Sequence, residues 1–463
     1  MRQKLTKILS LALMLATLAM LITSCNLPLW NMESPFAEIS EAGTLQPEGT
    51  PLSDPGDCDT TGEYLIAWGM HAFRPTKLDM IERYYEEYYV DRLPSTFDRA
   101  TAVYDAYREA VRGLDPLYLD ADTVTAYLIS LFQKAVGDKY AVYMDESYFA
   151  SFMTESTAEY VGIGVYTHYS EESGTLTVSD VFDDSPAKEA GVVAGDLLVA
   201  VNGTYLASVG YDAFFTLLTG AHATVHLTVE RDGEEITYTL VPRKINITSV
   251  FYETVAYASK TYARIRVTEF SQKTDEQFKR AVDRAESEGV SGILFDLRDN
   301  PGGSVDTVVA MLDYLLPDGG KLAHFRYREG SAFEDASETY YAKDGHSVDL
   351  PCVVLCNGST ASAGELFTAT LSDYDYATVV GTKTYGKGMA QNLISLADGT
   401  GFTISTAYYD PAYGANYEGK GITPDRTVSL TEGTEGIPLS LRTPDNDVQM
   451  SAALTALSML TVK

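Results

Sequence analysis

Between Thr261 and Gly381 the chain alternates strand-like and helix-like segments, and this alternation limits the possible folds more than any other feature. "TYARIRVTEF" alternates apolar and polar residues as a strand does, whereas "TDEQFKRAVDRAESEG" spaces its apolar residues as an amphipathic helix does. "VSGILFDLRDNPGGSVDTVVAMLDYLL" reads as strand, turn and helix, and after a loop "LPCVVLCNG" and "YATVVG" supply two more strands around a helix. Parallel strands need such crossover helices, so the pattern predicts an α/β core with a mostly parallel sheet over residues 244–430.

The rest of the chain divides by composition and periodicity into further segments. Residues 26–62 are rich in Pro, Gly, Ser, Thr and acidic residues, which is typical of a flexible linker. Residues 63–157 carry apolar residues at spacings of three and four, which predicts a helical N-terminal region. Residues 158–243 read as short strands with one or two helices, and residues 431–463 as a C-terminal tail with a helix. The sequence therefore predicts a multidomain α/β protein.

The first 25 residues have the pattern of an export signal. Three basic side chains among the first seven residues precede an apolar run over 8–22, which is too short for a comfortable transmembrane helix. The run ends in "LITSC", which resembles the signal of bacterial lipoproteins, in which the cysteine is lipidated and becomes the first mature residue. We therefore expect residues 1–25 to be a lipoprotein-type signal peptide, with Cys25 as a lipid anchor to the bacterial cell membrane in an extracytoplasmic location. An ordinary secretory signal followed by a stray cysteine is the alternative.

The charge balance excludes one broad class of partner. With 34 basic and 65 acidic residues, a net charge of -31, the chain has little to neutralise nucleic-acid phosphates. His222 and His226 are spaced like a ligand pair on a helix, but "AHATVHLTVE" alternates like a solvated strand. Cys352 and Cys356 lie about 13 Å apart along one predicted strand, too far for a disulfide. We expect no metal and no cofactor, and the sequence leaves a homo-oligomer open.

Residues 158–243 resemble a PDZ domain, in the circularly shifted form found in bacterial proteases. The resemblance is carried by "EYVGIGVYTH" and "SPAKEAGVVAGDLLVAVNG", followed by a helix and two strands joined at "DG". It implies that amides of the "VGIGV" loop receive a peptide's C-terminal carboxylate and that the peptide then adds as a strand. The implied strand edge comprises Gly162, Ile163, Gly164 and Val165. Residues of the second helix that face either the peptide groove or the core are Phe214, Leu217 and Leu218.

A candidate nucleophile, Ser362, follows the apolar strand "CVVLC" in a run of small residues. A helix that begins near it would place the hydroxyl at a helix N-terminus, where unpaired amides favour negative charge. Its neighbours Ala361, Ala363 and Gly364 leave room for the approach of a substrate backbone. A serine in such a run is more often a helix cap, so this position alone does not establish catalysis.

Lys387 is the candidate base, held between Gly386 and Gly388 in "TYGKGMAQ". A lysine can take the proton of a serine if burial keeps it neutral, which requires its pKa to fall by several units from about 10.4. Gln391 is expected to hydrogen-bond the lysine and to orient it without adding charge. A lysine between glycines is otherwise most often part of a surface turn.

The loop "DLRDNPGG" supplies candidate oxyanion donors. Glycine pairs at such a turn expose backbone amides at low steric cost. The amide of Gly302 or Gly303, together with that of Ala363, is therefore expected to hold the negative oxygen of a tetrahedral intermediate. Taken alone, an Asn-Pro-Gly-Gly sequence is usually only a loop.

Together these motifs resemble the bacterial C-terminal processing peptidases, or tail-specific proteases, over about residues 75–430. The family's serine and lysine stand 25 residues apart and its glutamine lies four residues further on, offsets that fall on Ser362, Lys387 and Gln391. The resemblance implies a crotonase-like α/β protease core, an inserted PDZ domain and a helical N-terminal region. The matching stretches are "EYVGIGV", "SPAKEAGVVAGDLLVAVNG", "GILFDLRDNPGG", "STASAGELFTATLSDY", "VVGTKTYGKGMAQ" and "EGKGITPD".

Three positions depart from the family pattern without removing an acid, base or nucleophile. Thr360 and Gly364 replace serines that usually flank the nucleophile, and Tyr385 replaces a phenylalanine. Asp373 matches an acidic position of the family, which we interpret as structural support. The site implied by the resemblance therefore remains complete.

The sequence thus predicts an exported serine endopeptidase, a hydrolase whose partners are protein substrates with exposed apolar C-termini. A catalytically idle, membrane-tethered PDZ scaffold is the alternative. Crotonase-type acyl chemistry on a thioester is a third hypothesis, which the export signal and the PDZ resemblance disfavour.

Overall fold

The computed structural model describes residues 58–67, 70, 73–110, 120–155, 159–170, 173–220, 222–431, 433–434 and 437–460. The predicted signal peptide, Cys25 and most of the predicted linker lie outside these residues. The chain forms two compact units, each assembled from three separate stretches of sequence. The first comprises Met1–Met153, Lys321–Tyr341 and Gly386–Lys420, and the second comprises Thr154–Gly320, Ala342–Tyr385 and Gly421–Lys463.

Helices predominate in the N-terminal stretch. Its elements are α1 (Thr61–Ala67), α2 (Pro75–Tyr88), α3 (Thr96–Ala110), α4 (Ala121–Ala135), β1 (Tyr143–Met144) and α5 (Glu146–Glu155). Asp120 caps α4, because its side chain accepts hydrogen bonds from the amides of Asp122 and Thr123. Within the described residues, no helix has both the length and the apolar character needed to cross a bilayer.

Short strands and helices follow. They are β2 (Glu159–Gly162), β3 (Val165–Ser170), β4 (Thr175–Val181), α6 (Pro186–Ala190), β5 (Leu197–Val201), β6 (Thr204–Tyr205), α7 (Leu206–Val209), α8 (Tyr211–Thr219), β7 (Val225–Arg231), β8 (Glu234–Leu240) and β9 (Arg243–Asn246). An antiparallel sheet in the order β3-β4-β5-β7-β8, with β6 beside β5, leaves β3 at an edge. β2 pairs with β9 in a separate two-stranded sheet.

Strands and helices alternate in the remainder. They are β10 (Val250–Tyr257), β11 (Lys260–Val267), α9 (Thr274–Ser287), β12 (Ile293–Asp296), α10 (Val305–Leu315), β13 (Lys321–Tyr327), a 3-10 turn (Glu334–Ala336), β14 (Glu338–Tyr341), β15 (Cys352–Cys356), α11 (Ala363–Asp373), β16 (Ala377–Gly381), β17 (Met389–Ser395), β18 (Gly401–Asp410), β19 (Arg426–Thr427), a second 3-10 turn (Leu439–Leu441) and α12 (Val448–Met459).

In the second unit the core sheet has the order β10-β11-β12-β15-β16-β19. All pairs from β11 to β19 are parallel, and β10 is antiparallel to β11. Both faces of the sheet are covered: Leu454 of α12 joins Leu294 in one apolar cluster, while Phe278 and Phe367 contact Phe295 on β12. Strands covered on both faces are apolar throughout, which explains the continuous run "CVVLC". The predicted mostly parallel α/β sheet is confirmed.

In the first unit the sheet is antiparallel and is centred on β18. This strand pairs with β1, β13 and β17, and β14 pairs with β13. Phe402 and Ile404 of β18 are fully buried in the same core as Tyr85 and Phe132 of the helices. The loop expected after "MLDYLL" was wrong in part, because β13 and β14 lie there. Their hydrogen-bond partners include a strand that is about 80 residues distant, and no local pattern reveals such a partner.

A buried ion network lies at the end of β12. Arg298 donates hydrogen bonds to Asp296 and Asp447, and Arg264 also donates to Asp296. Burial by itself would raise the pKa of Asp296, but the charges of Arg298 and Arg264 outweigh it and hold this pKa well below its ordinary value. Asp447 caps α12, so the network ties the last helix to the strand that leads into the "DLRDNPGG" loop.

Candidate active site

Ser362 lies in the second unit, at the turn between β15 and α11. It immediately precedes Ala363, the first residue of α11, and has φ 52° and ψ -118°. Residues other than glycine rarely adopt this conformation, which costs about 1–3 kcal/mol and persists only where the surroundings enforce it. A strained turn from strand to helix is the way in which α/β hydrolases present a nucleophilic serine. The strained backbone therefore singles out Ser362 as a candidate functional residue, in addition to its position as the N-cap of α11.

A buried carboxylate holds this turn from within. The amide of Ser362 donates to Oε2 of Glu365 (3.1 Å), and the hydroxyl of Thr384 donates to Oε1 of the same side chain. Glu365 is fully buried. Sequence reasoning missed Glu365, although a serine followed three residues later by a glutamate is the spacing of a capping box.

The glycine loop lies directly against the serine. A Cβ added to Gly302 would be 2.6 Å from Cβ of Ser362 and 3.0 Å from the amide nitrogen of Ala363. Gly302 has φ 105° and Gly303 has φ 137°. The loop is anchored by Phe270, whose amide donates to the carbonyl of Gly302 (2.9 Å). Glycine is required here both for the backbone conformation and for the close approach.

Asn300 distinguishes the two predicted glycine donors. Its Oδ1 accepts a hydrogen bond from the amide of Gly302 (2.8 Å), and its Nδ2 donates to the carbonyl of Val267 (2.8 Å). The Gly302 amide already donates to Asn300 and is therefore not available to an oxyanion. In the part of the chain that the structure describes, no acceptor is bonded to the amide of Gly303 or of Ala363. These two amides remain as candidate oxyanion donors, and Asn300 is a second residue that sequence reasoning missed.

Cys356, at the end of β15, does not compete with Ser362 as a nucleophile. Burial, together with the negative charges of Glu365 and Asp296, raises the pKa of this thiol to about 12. Because the thiolate is the reactive form, the thiol at this position is inert near neutral pH.

Lys387 and Gln391 are in contact in the first unit. Nζ of Lys387 donates to Oε1 of Gln391 (2.7 Å), and Nε2 of Gln391 donates to the carbonyl of Tyr140 (2.7 Å). The carbonyl of Lys387 accepts the hydroxyl of Tyr409 (2.6 Å). Lys387 is half-buried, between two buried glycines. Two uncharged side chains, those of Gln391 and Tyr409, thus bond the amine and the backbone carbonyl of Lys387.

Ser362 and the glycine loop belong to the second unit, whereas Lys387 and Gln391 belong to the first. The second unit supplies a strained serine at a helix N-terminus with two unoccupied amides beside it. The first supplies an amine oriented by an amide side chain. Chemically, these are a candidate nucleophile with a candidate oxyanion site, and a candidate base.

The predicted peptide-binding residues lie around strand β3. Val165 begins this edge strand, and the carbonyls of Ile163 and Gly164 accept from the amides of Ala187 and Phe182. Gly164 has φ 83°, and a Cβ there would be 2.2 Å from Cβ of Ser185. On α8, Phe214 is fully buried in the core of this sheet, while Leu217 and Leu218 are half-buried against it. Phe214 is therefore a core residue, and the other two lie at the rim of the core.

One group of side chains in the described part of the chain comes within reach of a shared metal ion: Asp283, Glu286 and His346. Both carboxylates are exposed, and His346 stacks on the ring of Tyr314. Exposed acidic groups of this kind are common without an ion, so the cluster does not indicate a metal centre.

The chain matches two family models. Residues 261–428 match peptidase family S41, and residues 177–231 match a PDZ domain. The first match contains Ser362, Lys387, Gln391 and the glycine loop. The second contains α8 and the central strands of the antiparallel sheet, whereas the two edge strands β3 and β8 lie outside it.

Two curated relatives illustrate the similarity. A probable CtpA-like serine protease of Staphylococcus saprophyticus is 29% identical over 300 residues, which are 64% of this chain and 58% of that protein. The carboxy-terminal processing protease CtpA of Bacillus subtilis is 28% identical over 340 residues, which are 73% of this chain and 70% of that protein. The matched part thus spans less than two thirds of the staphylococcal relative.

The fold is also similar to that of a solved structure. A candidate S41 protease from Bacteroides fragilis superposes with a TM-score of 0.56 at 20% sequence identity, covering 82% of this chain and 97% of that one. The likeness supports the α/β fold.

Proposed function

Because the chain contains a peptidase family S41 domain at residues 261–428 and a PDZ domain at residues 177–231, we propose that it is an exported serine endopeptidase of the C-terminal processing type. Ser362 is the nucleophile, Lys387 the base and Gln391 the residue that orients the base. The PDZ domain captures the exposed apolar C-termini of protein substrates.

The conformation of Ser362 carries this proposal. Helix caps ordinarily adopt an extended conformation, which is not strained. The positive φ of Ser362 is strained and is therefore not required for capping. Here the strain coincides with a glycine loop pressed against Cβ of the same residue and with two unoccupied amides. A scaffold without catalysis would have no use for this combination.

The mechanism follows from these groups. Neutral Lys387 accepts the proton of the Ser362 hydroxyl while Oγ attacks the scissile carbonyl carbon. The resulting oxyanion is stabilised by the amides of Gly303 and Ala363. Collapse of the tetrahedral intermediate breaks the C–N bond, the lysine returns its proton to the leaving amine, and an acyl-enzyme remains. Water, deprotonated by the same lysine, then attacks the ester and releases the second product with Ser362 restored.

Substrate capture is assigned to the free edge of β3. An extended peptide can add to this edge as a further strand, with its terminal carboxylate at the loop formed by Gly162, Ile163 and Gly164. Leu217 and Leu218, at the rim of the core, are placed to contact apolar side chains of such a peptide.

Location outside the cytoplasm is proposed from the sequence alone. The apolar run that ends in "LITSC" supports a lipid anchor at Cys25 to the cell membrane. Lipidation adds a membrane anchor and no catalytic group, so the proteolytic assignment does not depend on it.

The test is cleavage of an unstructured protein with an apolar C-terminus by the purified protein and four variants. Ser362→Ala and Lys387→Ala are expected to abolish cleavage. The matched controls Ser359→Ala, in the same loop, and Lys383→Ala, an exposed lysine four residues earlier, are expected to retain it. Cleavage that survives Ser362→Ala would refute the assignment. Binding of a C-terminal peptide without cleavage by any form would favour the scaffold alternative.

A further inference from the structure

The ring, the backbone carbonyl and the hydroxyl of Tyr140 all contact the segment 386–391, which carries the candidate base. Tyr140 lies in the first unit, between α4 and β1, and is 7% exposed. It also lies outside residues 261–428, the part of the chain that matches the peptidase family. The ring faces Nζ of Lys387, the carbonyl accepts from Gln391, and the hydroxyl lies beside the carbonyl of Gly386.

The ring faces the nitrogen of the base. Nζ of Lys387 is 4.9 Å from the centroid of the Tyr140 ring, within the range in which the ring's negative face attracts an N–H or an ammonium group. Lys139 approaches the same ring, with Nζ at 4.8 Å, and forms an ion pair with Glu418 (2.7 Å). The ring is therefore an uncharged surface within reach of two amines.

The carbonyl decides which end of Gln391 faces the base. A carbonyl oxygen can only accept, so at 2.7 Å from Tyr140 the side chain of Gln391 must present Nε2. Oε1 is then turned towards Nζ of Lys387 (2.7 Å). The backbone of Tyr140 thus selects the orientation in which Gln391 acts as an acceptor for the lysine.

The hydroxyl ties down the glycines on both sides of Lys387. It lies 3.0 Å from the carbonyl of Gly386 and 2.8 Å from Oε1 of Glu418, and Oε2 of Glu418 accepts from the amide of Gly388 (2.8 Å). Glycine at two of three positions makes this backbone intrinsically flexible. Tyr140 and Glu418 help to fix it, together with the amide of Gly419, which donates to the carbonyl of Gly386 (2.9 Å).

We propose that Tyr140 is the positioning residue of the base. Oε1 of Gln391 accepts one N–H of the Lys387 amine and the ring lies beside Nζ, so both restrict the directions in which the lone pair of the neutral amine can point. This inference rests on the proposed function, in which that lone pair receives the proton of Ser362. Tyr140 itself neither gives nor takes a proton in that step and acts only through Lys387 and Gln391.

Three variants with different aromatic side chains at position 140 test the proposal while the shape of the ring stays nearly constant. Phenylalanine, 4-fluorophenylalanine and 3,4,5-trifluorophenylalanine replace Tyr140, so that the electron density of the ring falls while its volume changes little. The readout is the pH midpoint for trace acetylation of Lys387 by acetic anhydride, measured by peptide mass spectrometry. We expect this midpoint to move to lower pH along the series, by about half a pH unit in all. A ring of lower electron density attracts the ammonium form of Lys387 less strongly. Lys134, an exposed lysine on α4, is the internal reference and should not move.

A second variant, Tyr140→Leu, removes the ring altogether and is expected to lower kcat about 10- to 100-fold with little change in KM, as a misplaced catalytic group does. Equal midpoints for Lys387 in the three ring variants would overturn the proposal, and so would unchanged kcat in a folded Tyr140→Leu protein. The acetylation measurement needs no turnover. A parent protein that neither cleaves peptides nor reacts with a fluorophosphonate at Ser362 would therefore refute the proposed function, while the midpoints still decide the role of Tyr140.

Discussion

Replacing Gly302 with alanine tests whether the glycine loop must lie against the nucleophile. The added Cβ would lie 2.6 Å from Cβ of Ser362, 2.9 Å from the carbonyl oxygen of Ala361 and 3.0 Å from the amide nitrogen of Ala363. None of these atoms ends a flexible side chain, so the loop itself has to move. Because carbon atoms pack at about 3.5 Å or more, the required shift is about 1 Å. With φ at 105°, alanine also adds about 1–3 kcal/mol of backbone strain.

A shift of that size takes the amide of Gly303 out of hydrogen-bond range of the oxyanion. Loss of one oxyanion donor lowers kcat about 100- to 1,000-fold, and we expect this loss in Gly302→Ala with a much smaller change in KM. Gly289→Ala is the matched control, since Gly289 has φ 64° and no atom within 4 Å of an added Cβ. It therefore carries the strain without the collision. Peptide cleavage, read beside thermal unfolding, is the assay, and equal kcat values for the two variants would refute the assigned geometry.

Three further changes test the surroundings of the site. Asn300→Ala leaves the amide of Gly302 without its buried acceptor and should lower the free energy of unfolding by about 1–3 kcal/mol, measured by denaturant titration. Burial raises the pKa of Glu269, so the folded state holds this proton more tightly than the unfolded state and loses stability as pH rises above the ordinary carboxyl range. Glu269→Gln should therefore flatten the decline in thermal midpoint as pH rises above the ordinary carboxyl range, and an unaltered slope would contradict this. Asp296→Asn leaves Arg298 with a weakened buried partner and should destabilise the protein by up to about 3–5 kcal/mol, which chemical denaturation would detect.

Local pattern was sufficient for the parallel sheet and for the position of the serine. "GILFD" and "CVVLC" are continuous apolar runs because both faces of their strands are covered. The small residues around Ser362 mark the turn into α11, and the spacing of Lys387 and Gln391 brings their side chains together at the start of β17. These features depend on residues that are close in sequence, so a single sequence shows them.

The remaining features depend on contacts between distant residues. Tyr140 approaches Lys387 across 247 positions of sequence. Asn300 lies in a loop, and its side chain donates to the carbonyl of Val267, which is on strand β11. The positive φ of Ser362 cannot be recognised from residue type, because serine ordinarily avoids that region. Only the tertiary structure brings these groups together, and its contacts offset the cost of the strained backbone.

The same contacts explain why residue 391 is a glutamine rather than a glutamate. Its Nε2 lies 2.7 Å from the carbonyl of Tyr140 and 3.3 Å from the hydroxyl of Thr403, so a carboxylate there would set an oxygen against the carbonyl oxygen. A carboxylate would also stabilise the ammonium form of Lys387 and oppose its action as a base. The acidic group near this segment, Glu418, accepts from the amide of Gly388 and so helps to fix the backbone. The neutral amide at 391 therefore satisfies the hydrogen bonds of the segment while leaving the lysine free to lose its proton.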